Sequence, residues 1–169
     1  MQLFRAASLL AAVSALALAA CAPTEQQAIE NYVTEAQEIA EGLVEAAAKF
    51  ETLMNVQPDP LAWNEATKTE LQAILGQFRT LRSEAEGMTV PPALAETHPL
   101  LVQSLSDMAG AVEIIEGIAL DPATATEEKA DEMTAKAENA EKLAEEYVQK
   151  LQATIEAKYP EMMAEGDVQ

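Results

Sequence analysis

The sequence is poor in the residue types on which most catalytic and metal sites depend. Its 169 residues include one cysteine and one histidine, which excludes an internal disulfide, a Cys-x-x-Cys zinc site and any centre that needs several histidines. Aromatic residues make up only 4%, which is little to line a cofactor cavity. The net charge is −19, with 10 basic against 29 acidic side chains. A surface this acidic excludes nucleic-acid binding through a basic patch.

The common catalytic and ligand-binding motifs are missing as well. The sequence has no glycine-rich phosphate loop, no EF-hand pattern and no Gly-x-Ser-x-Gly elbow. A Ser-His-Asp triad would have to use the single histidine, His98. Ala95, three residues before His98, excludes the Glu-x-x-His pair of di-iron bundles. We therefore predict that the protein is not an enzyme, and the sequence identifies no small-molecule substrate.

The first 20 residues predict a secretory signal peptide. Arg5 supplies the positive charge that precedes an uncharged run of alanine, leucine, serine and valine over residues 6–20. This run is shorter than the roughly 20 apolar residues that a transmembrane helix requires. It ends in Leu18-Ala19-Ala20-Cys21, which contains the only cysteine of the chain.

This ending resembles the lipobox of bacterial lipoproteins, where a leucine and two small residues precede the lipidated cysteine. The resemblance implies cleavage between Ala20 and Cys21 and a lipid on Cys21, a diacylglycerol thioether with palmitate-type chains that anchors the protein to the membrane. Ala22, where some sorted lipoproteins carry aspartate, implies the outer membrane facing the periplasm if the host is Gram-negative. The alternative is an ordinary signal peptide cut after Ala20, with Cys21 incidental.

The rest of the chain carries apolar residues at heptad spacing in four segments, which predicts four amphipathic helices. The segments are Glu25–Val56, Pro60–Glu86, Pro92–Leu120 and Ala125–Lys158. Short proline-containing connections separate them, so neighbouring helices should run antiparallel. We predict an all-α protein that forms an up-down-up-down antiparallel four-helix bundle. A longer helical hairpin that oligomerises is the alternative.

The predicted organisation has four parts. They are a signal peptide over residues 1–20, a lipidated tether over 21–24, the bundle over 25–159 and a flexible acidic tail over 160–169.

Aspartate, threonine and proline mark the predicted helix boundaries. Asp59 is expected to cap the second helix with Pro60 in its first turn, and Thr124 with Glu127 predicts a capping box for the fourth. Pro99 lies within the third segment, where it should kink the helix or delay its first turns.

Each helix is expected to bury its apolar stripe. The stripe predicted for the first helix is Ile29, Val33, Ala36, Ala40, Leu43, Ala47, Phe50 and Met54. The stripe predicted for the fourth helix is Ala130, Met133, Ala137, Ala140, Ala144, Tyr147, Leu151 and Thr154. The second and third stripes carry larger leucine, isoleucine and phenylalanine residues, so we expect them to fill the opposite side of the core.

His98 is the basis of the one ligand-binding hypothesis. It falls on the third stripe, and Met88 ends the second helix at the same end of the bundle, so the pair could ligate a b-type haem or a metal. The other interpretation places His98 at the bundle rim beside Pro99, where it caps or hydrogen-bonds backbone groups that the prolines leave unpaired. We favour the second interpretation because the chain has too few aromatic residues to line a haem cavity. No cofactor is therefore predicted apart from the covalent lipid on Cys21.

These observations favour a non-enzymatic lipoprotein of the cell envelope, whose helical bundle serves as an interaction or structural module. Its predicted partners are the membrane, reached through the lipid on Cys21, and an envelope protein. The acidic body should stand off the membrane because anionic headgroups repel it. The alternative function is a bundle that binds haem or a metal at His98.

Overall fold

The computed structural model describes residues 24–158, most of which lie in four α-helices. The bounds are Glu25–Val56 for α1, Glu65–Gly87 for α2, His98–Leu120 for α3 and Glu127–Lys158 for α4. Each connection contains one turn of 3-10 helix, at Pro60–Ala62, Pro92–Leu94 and Pro122–Thr124. No strand occurs within residues 24–158. The predictions for Ala20, Cys21 and the tail lie outside the described residues.

The four helices form an antiparallel bundle, which confirms the predicted fold class. Packing is most extensive between α3 and α4, followed by α2 with α3 and α1 with α2. The first and last helices meet at one end, where Lys158 Nζ lies 3.4 Å from a carboxylate oxygen of Glu25. We call residues 24–34, 88–98 and 147–158 the proximal end, and residues 55–68 and 117–131 the distal end. None of the described helices is both long enough and apolar enough to cross a membrane.

The boundaries of α1 match the prediction because a capping box fixes its start. The Thr24 hydroxyl accepts a hydrogen bond from the backbone N–H of Gln27, and the Gln27 side chain accepts one from the backbone N–H of Thr24. Each partner satisfies an N–H group that the helix itself leaves unpaired.

Two predicted N-caps are wrong because a 3-10 turn precedes each helix. Asp59 caps the turn that begins at Pro60, and Asn64 caps α2, where its side-chain oxygen lies 3.0 Å from the backbone nitrogen of Thr67. At α4, the Thr124 hydroxyl donates to the Asp121 carbonyl at 2.7 Å.

The residue that caps α4 is Thr126, whose hydroxyl accepts from the backbone N–H of Lys129 at 3.2 Å. The prediction that Pro99 kinks the third helix or delays its first turns is confirmed in its second form, because α3 begins at His98 and not at Pro92. Pro99 occupies the first turn of α3, where its missing N–H group breaks no helical hydrogen bond.

The buried face of α1 is rotated slightly from the predicted stripe. Val33 and Met54 are only partly buried, whereas Tyr32, Ile39, Ala46 and Leu53 are buried. A helix that contacts more than one neighbour buries a face wider than the two positions of a coiled-coil seam. A strict heptad pattern therefore predicts the direction of the apolar face of α1 but not its width.

The predicted stripe of α4 is buried only in its second half. Ala130 is exposed, and Met133 and Ala137 are half-buried, so burial begins at Ala140. The extensive helix packing of α4 is with α3 alone, which leaves the other side of its first turns uncovered. The buried residues of α4 are Ala140, Ala144, Tyr147, Val148, Leu151 and Ile155.

Candidate functional site

Three polar rings from three helices meet at the proximal end. The Tyr32 hydroxyl lies 3.2 Å from Nδ1 of His98, and the two rings pack edge to face with centroids 5.8 Å apart. Tyr147 of α4 is buried next to Tyr32, but its hydroxyl makes no hydrogen bond of good geometry. The cluster brings polar atoms of α1, α3 and α4 together inside the bundle.

Burial shifts the pKa values of the groups in this cluster. It raises the pKa of Tyr32 to about 12 and also raises the pKa of Tyr147, which lies beside the Tyr32 hydroxyl. It lowers the pKa of His98, which disfavours the imidazolium form. A neutral His98 accepts a hydrogen bond at Nδ1 from the protonated Tyr32 hydroxyl, with the ring proton on Nε2. We assign this tautomer from the hydrogen-bond partner.

The cluster bears on the hypothesis of a ligand at His98. The structure brings His98 together with Tyr32, which the sequence analysis did not link to it, and leaves Met88 partly buried against the core at the same end. Because Tyr32 already uses Nδ1, only Nε2 of His98 is left to ligate a haem or a metal. Residues 24–158 contain no group of three or more His, Cys, Asp or Glu side chains that could hold a metal ion. Ligation by His98 and Met88 stays a prediction.

A second polar set joins α3 to α4 near the middle of the bundle. The Ser104 hydroxyl donates to the carbonyl of Ala140 at 2.8 Å. The buried Asp107 carboxylate accepts from Asn139 at 2.5 Å through one oxygen and from Gln103 at 3.1 Å through the other. Both carboxylate oxygens therefore have partners, and the set fixes the register of the two helices, because a shift would leave a buried charge unpaired.

A groove of about 460 Å³ runs between α3 and α4 towards the distal end. Its lining includes Gly110, Ile114, Gly117 and Ile118 of α3 and three charged side chains of α4. Two of the charged side chains of α4 and one of α3 are paired, since Lys129 bonds Glu132 at 2.6 Å and Glu113 bonds Arg79 at 2.8 Å. Lys136 also lines the groove and forms no salt bridge within residues 24–158. The groove thus offers an incoming ligand one unpaired charge, the ammonium group of Lys136.

The distal end is built around two connections of the same design. Pro60 and Pro122 each begin a 3-10 turn, and the aspartate before each proline accepts from the backbone N–H two residues later. The bonds are 3.0 Å from Asp59 to Leu61 and 3.1 Å from Asp121 to Ala123. Three large apolar side chains are exposed at this end, with 72% of Val56, 53% of Leu61 and 54% of Leu120 accessible to solvent.

Comparison with known proteins adds no relative from which a function could be transferred. The chain matches no family model, no curated protein and no solved structure.

Proposed function

We propose that this protein is a non-enzymatic lipoprotein of the cell envelope, anchored to the membrane by a lipid on Cys21. In this proposal the helical bundle is an interaction or structural module that the anchor holds at the membrane surface. The observation that carries it is the sequence Leu18-Ala19-Ala20-Cys21, which is followed almost at once by the capped helix α1.

The short distance from Cys21 to the bundle supports this proposal. Thr24, the N-cap of α1, is exposed at the proximal end. Three residue steps separate it from Cys21 and span about 11 Å at most. A lipid on Cys21 would hold the proximal end close to the headgroups, and the 32 residues of α1 would reach about 48 Å away from them.

The charge of the bundle is consistent with attachment through lipid rather than through the protein surface. Removal of the signal peptide takes away Arg5 and no carboxylate, so the mature chain is still more acidic than the −19 of the full sequence. Anionic headgroups repel such a body, so binding to the bilayer requires the acyl chains. For a Gram-negative host, Ala22 favours the outer membrane and the periplasmic side.

Metabolic labelling with an alkyne analogue of palmitate tests this proposal. We expect the full chain, expressed with its own N-terminus in a bacterial host, to incorporate the label and to partition into detergent. Cys21→Ser removes the only cysteine and should abolish both, while the helical circular dichroism stays unchanged. An unlabelled wild-type chain that begins at a free Cys21 would show an ordinary signal peptide and refute the lipid anchor.

A further inference from the structure

Exposed apolar side chains concentrate at the distal end. Within residues 24–158, four large hydrophobic residues are exposed, and three of them, Val56, Leu61 and Leu120, belong to this end. They come from the last residue of α1, a 3-10 turn and the last residue of α3. The turn at Pro60–Ala62 packs against α3, so the segments are neighbours. Apolar residues gathered in this way are typical of interaction surfaces, whereas isolated ones are common on any protein.

The backbone at Leu61 is fixed by local contacts, although the Leu61 side chain is not part of the core. Pro60 restricts the turn, and the Asp59 carboxylate accepts from the Leu61 N–H at 3.0 Å. Trp63 is buried behind the turn, and its indole N–H donates to the Gln57 carbonyl at 2.8 Å. Because this backbone is already fixed, a partner that binds Leu61 has to order only the side chain and not the loop.

The charge around these apolar residues is negative. The acidic side chains of the distal end are Asp59, Glu65, Asp121, Glu127, Glu128 and Asp131, and its basic side chains are Lys68 and Lys129. Both lysines are paired on their own helix, Lys68 with Glu65 at 3.1 Å and Lys129 with Glu132 at 2.6 Å. A partner therefore meets apolar side chains surrounded by carboxylates, which favours lysine and arginine on its side.

The chain itself is a poor candidate to cover this end. Residues 159–169 include Glu161, Glu165 and Asp167 and no lysine or arginine, so the carboxylates of the distal end repel them. A second copy would bring the same carboxylates face to face, which is repulsive. The segment before Cys21 is absent from the mature protein if processing follows the proposed function.

We propose that the distal end is a docking surface for a protein segment that presents apolar side chains flanked by lysine or arginine. Val56, Leu61 and Leu120 define the apolar part of this distal docking surface, and the surrounding carboxylates define its charge. This inference depends on the proposed function for its orientation, since the anchor would hold the docking surface on the side away from the membrane.

The test uses the full chain in detergent micelles and a short helical peptide of leucine and lysine as the probe. Trp63 is the only tryptophan and lies in the distal end, so its fluorescence reports binding there. We expect saturable binding of the leucine–lysine peptide and no binding of a matched leucine–glutamate peptide. The double variant Leu61→Ser with Leu120→Ser should weaken binding by about tenfold or more, because two apolar contacts are lost.

Val44→Ser provides the matched control, because Val44 is exposed in the middle of α1, away from the distal end. We expect this variant to bind the peptide with a Kd within about twofold of the wild-type value, whereas the double variant should lose about tenfold. Glu127→Gln with Glu128→Gln should weaken binding severalfold and flatten its dependence on salt. Circular dichroism confirms that each variant keeps its helices.

Three results would overturn the proposal. Equal binding by wild type and the double variant would mean that the whole acidic surface attracts the peptide. Equal binding of the leucine–glutamate peptide would contradict charge complementarity. Binding of anionic vesicles that depends on Leu61 and Leu120 would identify a lipid surface instead. Loss of Cys21 labelling with peptide binding intact would refute only the anchor, and labelling without peptide binding would refute only the docking surface.

Discussion

The two ends of the bundle differ in what they bury and what they expose. At the proximal end the polar rings of Tyr32 and Tyr147 are buried in the core, and the ion pair between Glu25 and Lys158 joins the first helix to the last. At the distal end leucine and valine are exposed, while prolines and aspartates fix the turns. The exposed leucine and valine side chains of the distal end thus lie where local hydrogen bonds hold the backbone.

This contrast extends along α4. Its last three turns supply Leu151 and Ile155 to the core, whereas Ala130 in its first turn is exposed. The proximal half of α4 therefore contributes most to stability, because buried apolar area is the main stabilising term. The distal half contributes less and leaves surface for a partner.

The same substitution at the two ends gives the largest predicted difference. Leu151→Ala removes a side chain that is 2% exposed and should lower the free energy of unfolding by about 2–5 kcal/mol. Leu120→Ala removes one that is 54% exposed and should change it by less than about 0.5 kcal/mol. Urea denaturation followed by circular dichroism measures both. Similar losses for the two variants would contradict the division between the ends.

The two proximal tyrosines should respond differently to loss of the hydroxyl group. Tyr32→Phe removes the hydrogen bond to Nδ1 of His98 and should cost about 0.5–1.5 kcal/mol. Tyr147→Phe removes a buried hydroxyl that lacks a well-formed hydrogen bond and should be neutral or slightly stabilising. Thermal unfolding of the two variants side by side makes the comparison. A larger loss for Tyr147→Phe would show that its hydroxyl is the better bonded of the two.

The sequence predicted the helices well where one signal marked each boundary. At α1, Thr24 alone precedes the apolar stripe, and the predicted bounds match the structure. Ahead of α2, both Asp59 and Asn64 are good caps, and a heptad pattern cannot tell which begins the helix. In the structure, Asp59 caps the 3-10 turn, and α2 begins only after the second cap, Asn64.

The proximal cluster could not be predicted from spacing alone. His98 and Tyr32 are 66 positions apart, and their contact depends on how α1 is rotated against α3. Tyr147 was on the predicted stripe, but Tyr32 lies one position outside it. A periodic pattern fixes the direction of the apolar face to within about one residue, and that uncertainty decides which polar group reaches His98.

Two glycines test how closely the helices pack away from the proximal end. At Gly117 of α3, no atom beyond the neighbouring residues and backbone of its own helix lies within 4 Å of the position a Cβ would take, so Gly117→Ala should stabilise the fold by about 0.5–1 kcal/mol. At Gly42 of α1, a Cβ would lie 2.6 Å from Cδ2 of Leu81, and that side chain must move. Gly42→Ala should therefore stabilise the fold less than Gly117→Ala does, or should destabilise it. The midpoints of urea denaturation separate the two, and a larger gain at Gly42 would contradict the close approach.

The smallest effect we expect is a dependence of stability on pH that originates at His98. Burial lowers the pKa of His98 in the folded protein below its value in the unfolded chain, so the unfolded state binds the proton more readily. Stability should therefore fall as the pH drops from about 7.5 to about 5.5, through the ordinary histidine pKa. Protonation also removes the acceptor that Nδ1 offers to Tyr32. His98→Gln should flatten this part of the melting-temperature profile, with the remaining slope due to carboxylates; an unchanged slope would mean that His98 is solvated like a surface histidine.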